Sequence, residues 1–243
     1  MKIVADLHTH TISSGHAYST VMENVRAAAD KGLEMIAITD HGPAMPGAPH
    51  LYHFGNLRVL PNKLFGVQIL KGVEANVINR AGGLDLPEDR LAGLDIILAG
   101  AHHICSPQGS LAENTEMLIN TIKNPWVDGI VHPGNPEYLI DAQAIVQAAV
   151  EYDVAIEINN SSLKLSRAGS RPYCEKILCL AKQYGAKIIL GTDSHFALAV
   201  GEFSQAIALL EQYDISPHAV LNTSIMSIKN HLERRSNRRI RKG

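Results

Sequence analysis

Residues 188–195 read Ile188-Ile189-Leu190-Gly191-Thr192-Asp193-Ser194-His195, an apolar, β-branched run that stops at a glycine and hands over to a carboxylate and an imidazole two positions apart. An unbroken apolar run of this length, without polar alternation, reads as a strand buried on both faces. The same handover recurs along the chain. Ile3–Ala5 precedes Asp6, His8 and His10, Met35–Thr39 precedes Asp40 and His41, and Ile69–Val73 precedes Glu74. Ile96–Ala99 leads to His102 and His103, Gly129–Val131 to His132, and Ala155–Ile158 carries Glu157 and leads to Asn159 and Asn160.

Between these runs, apolar residues return at threes and fours in Thr20–Lys31, Leu111–Lys123, Ala142–Tyr152, Pro172–Tyr184 and Glu202–Gln212, the pattern of amphipathic helices. Strand–helix alternation over 243 residues, with no linker or low-complexity segment, predicts a single α/β domain. Seven buried strands fit a TIM-like barrel better than an open sheet. In a parallel barrel the C-terminal strand ends meet at one mouth, so the polar residues after each run are expected to converge there. Gly42–His53 is rich in Pro and Gly and predicts an irregular loop, either a wall of the substrate side or a surface excursion.

With 46% hydrophobic and 19% charged residues the chain can bury a large core. No run approaches the roughly 18 apolar residues of a membrane span. The N-terminus enters a strand without a charged leader or cleavage site, so a soluble, cytoplasmic protein is expected. Cys105, Cys174 and Cys179 are odd in number and form no C-x-x-C pair, which argues against a disulfide framework and a thiolate zinc site. Cys174 and Cys179 are expected to be buried, inert thiols. The net charge of −2 hides six bases in the last ten residues; without them 16 bases face 24 acids, a balance of −8. An acidic body argues against nucleic acid as a partner, and the basic tail 234–243 is expected to be a frayed end.

Ten of the twelve histidines fall before residue 200, most of them at strand ends. A single strand-end histidine is usually a hydrogen-bonded structural residue; their recurrence, with carboxylates beside them, points to metal. Imidazole and carboxylate without thiolate are the ligands of catalytic Zn²⁺, Mn²⁺ or Fe²⁺, and they are too numerous here for one four-coordinate ion. His8 and His10, and again Asp193 and His195, are spaced to share a face of extended chain. Asp6 and Asp40 are expected to orient neighbouring imidazoles. His50, His53, His103, His218 and His231 are expected at the surface. Arg58, Lys164, Arg167 and the run Asn159–Ser162 follow strands and are candidates for contact with an anion, surface solvation being the alternative for the arginines.

Together, D-L-H-T-H at Asp6–His10, T-D-H-G at Thr39–Gly42, G-V-E-A-N at Gly72–Asn76, H-P-G-N-P at His132–Pro136, E-I-N-N-S at Glu157–Ser161 and G-T-D-S-H at Gly191–His195 resemble the PHP (polymerase and histidinol phosphatase) family. The likeness runs from residue 6 to about 203, and A-Y-S-T after His16 with G-E-F at Gly201–Phe203 makes it most similar to the YcdX-like phosphatase subfamily. The resemblance implies a distorted (β/α)7 barrel with three divalent ions at its mouth, zinc first, manganese or iron as alternatives. Carried over by position, His8, His10, Glu74 and Asp193 would hold one ion, Glu74 with His102 and His132 a second, and His16, His41 and His195 a third. His103, beside His102, is a possible alternative ligand at the second.

The implied activity is hydrolysis of small phosphate monoesters, with Glu74, Asp193 and His195 in the catalytic set and a water between two ions attacking phosphorus in line. Asn160, Ser161 and Arg167 would hold the phosphate. A phosphodiesterase or exonuclease is the nearest alternative, against which stand the acidic body and only 5% aromatic residues. C–N hydrolysis of the amidohydrolase type would call for a strand-end lysine, and none is present. A non-catalytic metal-binding regulatory protein is the alternative outside enzymology.

Overall fold

The computed structural model describes residues 1–164 and 166–235. In chain order the elements are β1 (Ala5–Asp6), α1 (Val21–Asp30), β2 (Met35–Ile38), α2 (Leu51–Asn56), β3 (Lys63–Leu64), β4 (Val67–Asn76), α3 (Glu88–Leu91), β5 (Ile96–Gly100), α4 (Leu111–Ile122), β6 (Gly129–Ile130), α5 (Ala142–Tyr152), β7 (Ala155–Asn159), α6 (Asn160–Lys164), α7 (Arg171–Tyr184), β8 (Ile188–Gly191), α8 (Ser204–Gln212) and α9 (Ile225–Glu233). The strands run in the order β1-β2-β4-β5-β6-β7-β8, all parallel, and β3 alone pairs antiparallel, with β4. Each predicted strand is present. Local chemistry sets the helix starts: Thr20 with Glu23, and Ser110 with Glu113, form reciprocal capping boxes, and Asp141 accepts the first N–H groups of α5.

The barrel is nearly closed. At the mouth, the Asp193 N–H donates to the His8 carbonyl and the His10 N–H to the Ser194 carbonyl, both at 2.9 Å, so the loops after β1 and β8 zip together where the metal-type residues sit. Toward the opposite end, the Asn222 side chain fills the seam. Its Oδ1 accepts from Leu190 N at 2.7 Å, while Nδ2 donates to the Ala5 and Leu190 carbonyls at 2.9 and 2.8 Å. Leu221, Ile225, Ile228 and Leu232, from the segment ending in α9, pack against the barrel residues Ala5, Leu7, Met35, Leu98 and Ile189 and plug that end. α4, α5, α7 and α8 bury their apolar stripes against the outside of the sheet, Ile145, Leu178 and Leu209 among them.

Several sequence expectations need correction. The segment Gly42–His53 is irregular only in its first part, because His50 caps α2 by accepting the Tyr52 N–H on Nδ1. β3 and β4 form a hairpin turning on Phe65 and Gly66, both at positive φ, as a tight two-residue connection requires. Cys174 is buried but Cys179 is exposed, since five positions place the two on different faces of α7. His231 is not at the surface: it is buried and its Nε2 donates to the Asp128 carbonyl at 2.8 Å. In the basic tail, Arg234 pairs with Asp153 and Arg235 is buried against the Asp95 carbonyl, so those two positions are not frayed; residues 236–243 lie outside the described residues. Among the described residues no helix is long and apolar enough to cross a membrane.

Candidate metal centre

The alternation of β4 points Glu74 and Asn76 to the same side, and Glu74 stands, wholly buried, at the focus of the mouth. Its Oε1 lies 2.8 Å from His132 Nε2 and 3.1 Å from His102 Nε2; its Oε2 lies 2.7 Å from His41 Nδ1, 3.3 Å from His8 Nε2 and 3.4 Å from His10 Nε2. Asp193 Oδ1 is 3.2 Å from His10 Nε2 and 3.7 Å from His8 Nε2. Ligand-type atoms fall into three overlapping clusters: His8, His10 and Asp193; His41, Glu74 and His102; and His10, His41 and His195. His16, assigned by resemblance to the third set, is exposed, and its ring centroid is 5.0 Å from that of His41 and 4.8 Å from that of His195.

The far side of each ring decides which nitrogen is bare. His8 Nδ1–H donates to Glu157 Oε1 at 2.7 Å. His10 Nδ1–H donates at 3.0 Å to Ser14 Oγ, whose own hydrogen goes to Asp40 Oδ1 at 2.7 Å. His102 Nδ1–H donates to Asn76 Oδ1, and His195 Nδ1–H to the Asp193 carbonyl. In the neutral form of each of these four rings Nε2 is left with a lone pair. His8 Nε2 and His10 Nε2 face each other at 3.1 Å, and His41 Nδ1 with Glu74 Oε2 are buried, 2.7 Å apart and without a hydrogen-bond partner. Lone pairs pressed together in a buried site are the arrangement that shared cations stabilise.

Charge states agree with this at Glu74, Asp193, His10 and His132, and differ at His8. Burial raises the Glu74 carboxyl, but His41, His8 and His102 outweigh it and hold it well below the usual range; Asp193 is held low against burial by His8 and Arg167. His10 is pushed down to about 3 by burial and by His41, and His132 to about 3 by burial and by Arg167. For His8, burial favours neutrality, yet Glu157, Glu74 and Asp193 raise it well above its ordinary value, so without an ion its Nε2 carries a second proton that a metal would displace. Ionised carboxylates and neutral imidazoles are what a divalent ion binds.

Backbone strain gathers here too: His132 and Asp193 both have positive φ, a conformation non-glycine residues keep only where surroundings enforce it. Gly191 is needed for close approach, since a Cβ there would lie 2.0 Å from Glu157 Oε1.

A cavity of about 620 Å³ opens over the cluster, lined by His16, His41, His102, Asp193 and His195 on its floor and by Met45, Ile104, Pro136, Ser161 and Arg167 around it. Arg167 Nη1 donates to Asp193 Oδ2 at 2.9 Å and to Ser162 Oγ at 3.2 Å, and the neighbouring carboxylates, against burial, keep the guanidinium charged. Met45 on the rim places the loop after β2 at the cavity, resolving its sequence ambiguity in favour of a wall.

Other expectations fall elsewhere. Asn160 is turned away, its Oδ1 accepting from Gln205 N and Ala206 N at the start of α8. Lys164 is exposed, and Arg58 lines a separate hollow with Tyr52 and Arg90. His53 is partly buried, with Nε2 3.5 Å from Asp40 Oδ2. Asp6 orients no imidazole: it accepts from Thr192 Oγ1 at 2.6 Å and from Thr192 N and Gly201 N, and burial raises it to about 6 against those bonds. Asp40 acts on His10 one residue removed, through Ser14. Glu157, Ser14 and Asn76 were not singled out as orienting groups in the sequence; for Glu157 the signal was there, a carboxylate ending an apolar strand.

The chain belongs to the PHP domain family, whose model matches residues 6–214. It is 51% identical over 242 residues to a protein of Acetivibrio thermocellus named a probable phosphatase, covering 100% of both chains. A probable phosphatase of Thermoanaerobacter sp. strain X514 is 53% identical over 234 residues, 96% of each chain. Among solved structures, histidinol phosphate phosphatase from Lactococcus lactis, complexed with zinc, L-histidinol and phosphate, superposes with a TM-score of 0.65 at 19% identity, over 87% of this chain and 94% of that one. That likeness establishes a shared barrel fold.

Proposed function

We propose that the protein is a metal-dependent phosphatase that hydrolyses small phosphate monoesters at a centre of three divalent ions, zinc first by ligand type. The observation that carries this reading is the convergence of imidazole nitrogens of His8, His10, His41, His102 and His132 on the buried carboxylates Glu74 and Asp193. His8, His10 and Asp193 would hold one ion, His102 and His132 a second, and His16, His41 and His195 a third, with Glu74 shared by the first two. Such ions supply Lewis acidity to the phosphoryl oxygens and activate the attacking water.

The chain's own residues do the rest. Glu157 and Ser14 keep a proton of His8 and of His10 on Nδ1, and the Asp193 carbonyl keeps that of His195 there, so these three rings direct Nε2 to the ions. Arg167, with Ser161 beside it on the cavity wall, offers guanidinium hydrogens to phosphate oxygens while Asp193 holds it in place. Asn160 supports this wall from behind by anchoring α8. No protein nucleophile is needed. The relatives named as phosphatases and the neighbour bound to zinc and phosphate support the same chemistry.

A cavity of about 620 Å³ suits a small molecule. Among the described residues its lining contains no Phe, Tyr or Trp on which successive bases would stack, and no lysine of the kind a bridged amidohydrolase site uses. The test is a hydrolysis panel of p-nitrophenyl phosphate, its bis-ester, single-stranded DNA and an acyl-amino acid. Turnover confined to the monoester supports the reading; cleavage only of DNA or diester, only of amide, or of nothing despite bound metal overturns it.

A further inference from the structure

We propose that Asp85 is a positioning residue that fixes the tautomer of His102, and so makes His102 Nε2 available as a ligand. The proposal rests on the reading of His102 as part of the metal centre for its functional consequence, but its structural content stands on hydrogen bonds alone.

After β4 the chain makes an excursion closed by an antiparallel bridge between Val77 and Leu84, which returns Asp85 beside Asn76, where its N–H donates to the Asn76 carbonyl at 3.2 Å. Asp85 Oδ1 accepts from Asn76 N at 2.9 Å, and Oδ2 accepts from Asn76 Nδ2 at 2.6 Å and from Ala44 N at 2.9 Å. The second hydrogen on Asn76 Nδ2 goes to the Gly42 carbonyl at 3.1 Å. An ionised carboxylate only accepts, so Asp85 and Gly42 together force the Asn76 amide to present NH₂ to them and its oxygen to the other side. That oxygen is 2.8 Å from His102 Nδ1, which must therefore carry the proton, and Nε2 is left bare, 3.1 Å from Glu74 Oε1.

A side-chain amide can be turned end for end at little steric cost, and without Asp85 only the Gly42 carbonyl, at 3.1 Å, would hold Asn76 in this sense. The carboxylate adds the shorter bond, at 2.6 Å. Asp85 also ties the cavity loop into the relay: a Cβ at Gly42 would lie 2.3 Å from its Oδ1, and Ala44, next to the wall residue Met45, is bound by its Oδ2. The loop and the metal ligand are thus set by one side chain that touches neither metal site nor substrate cavity.

The experiment is ¹⁵N-histidine NMR of the metal-free protein at alkaline pH, with the His102 signals assigned by His102→Asn. The expected result is a hydrogen on Nδ1 in the wild type. In Asp85→Ala, which removes both carboxylate acceptors and leaves only the Gly42 carbonyl to orient the Asn76 amide, the proton is expected to move in part to Nε2, and metal affinity measured by competition with a chelator to fall roughly 10–100-fold. Exchanging the two side chains, Asn76→Asp with Asp85→Asn, restores a carboxylate acceptor to His102 and is expected to return the proton to Nδ1. A wild-type His102 protonated on Nε2 overturns the proposal without any variant, as does an unchanged tautomer in Asp85→Ala. Wild-type protein that binds no metal would instead contradict the metal-centre reading and leave the tautomer result to stand by itself.

Discussion

Glu157 Oε1 lies 2.7 Å from His8 Nδ1, across 149 residues of sequence, while its Oε2 accepts the His132 backbone N–H at 2.8 Å. One buried carboxylate therefore sets the histidines after β1 and after β6, on two sides of the mouth. Glu157→Gln keeps the shape but turns an N–H toward one of those donors. Metal affinity is expected to fall roughly 10–100-fold, read by chelator competition, with little change in the circular dichroism of the fold. Full affinity in the variant would show that Glu157 does not orient the site.

Arg167 is bound to Asp193 and lines the cavity over the cluster. Charge-assisted bonds to phosphate contribute about 1.5–3 kcal/mol. Arg167→Ala is expected to raise KM for a phosphate monoester by roughly 10–100-fold, and Arg167→Lys, a point charge without the fork, to recover only part of it. An unchanged KM in Arg167→Ala refutes the assignment.

The seam between β1 and β8 depends on Asn222, which is fully buried. Asn222→Ala leaves the Leu190 N–H and the Ala5 carbonyl unpaired inside the protein. The expected loss is roughly 2–4 kcal/mol, a Tm lower by about 5–12 °C in scanning calorimetry. A Tm unmoved by this change would mean that water or another group closes the seam.

Asp153 ends α5 in the left-handed conformation and pairs with Lys187 and Arg234. Burial raises its carboxyl, but the hydrogen bond from Lys187 and the charge beside it prevail and hold it below the ordinary value near 3.8. A carboxyl lowered by folding stabilises the protein above its unfolded pKa and loses that contribution as pH falls through the folded one. Asp153→Asn, which tolerates the same backbone, should melt about 1–3 °C below wild type at pH 7. The gap is expected to close as pH falls through the lowered carboxyl's range, below its ordinary value; a gap that persists in stronger acid would be due to packing.

How much of this was legible in the sequence follows from where each signal resides. A strand buried on both faces must be apolar throughout, so β2, β5 and β8 announce themselves, and the polar residue that ends each run marks the mouth. The β3–β4 hairpin was hidden because Phe65, whose ring lies under the Arg26 guanidinium, occupies a turn position usually taken by Asn, Asp or Gly. α2 was hidden behind Pro43, Pro46 and Pro49. The metal-type residues were legible because imidazole and carboxylate are chemically distinctive at strand ends. Ser14, Asn76 and Asp85 were not, since small polar residues are common everywhere and only the fold brings Asn76 to His102 or Ser14 to His10. Asn160 misled for the opposite reason: its position beside Ser161 is right, but its side chain caps α8.

The central claim is a cluster of three catalytic ions, and elemental analysis of the purified protein by plasma mass spectrometry, paired with p-nitrophenyl phosphate hydrolysis before and after chelation, tests it most directly. The account predicts nearly three divalent ions per chain and turnover that is lost with chelator and restored by added metal. Protein that carries no stoichiometric metal, or turnover indifferent to its removal, would contradict it.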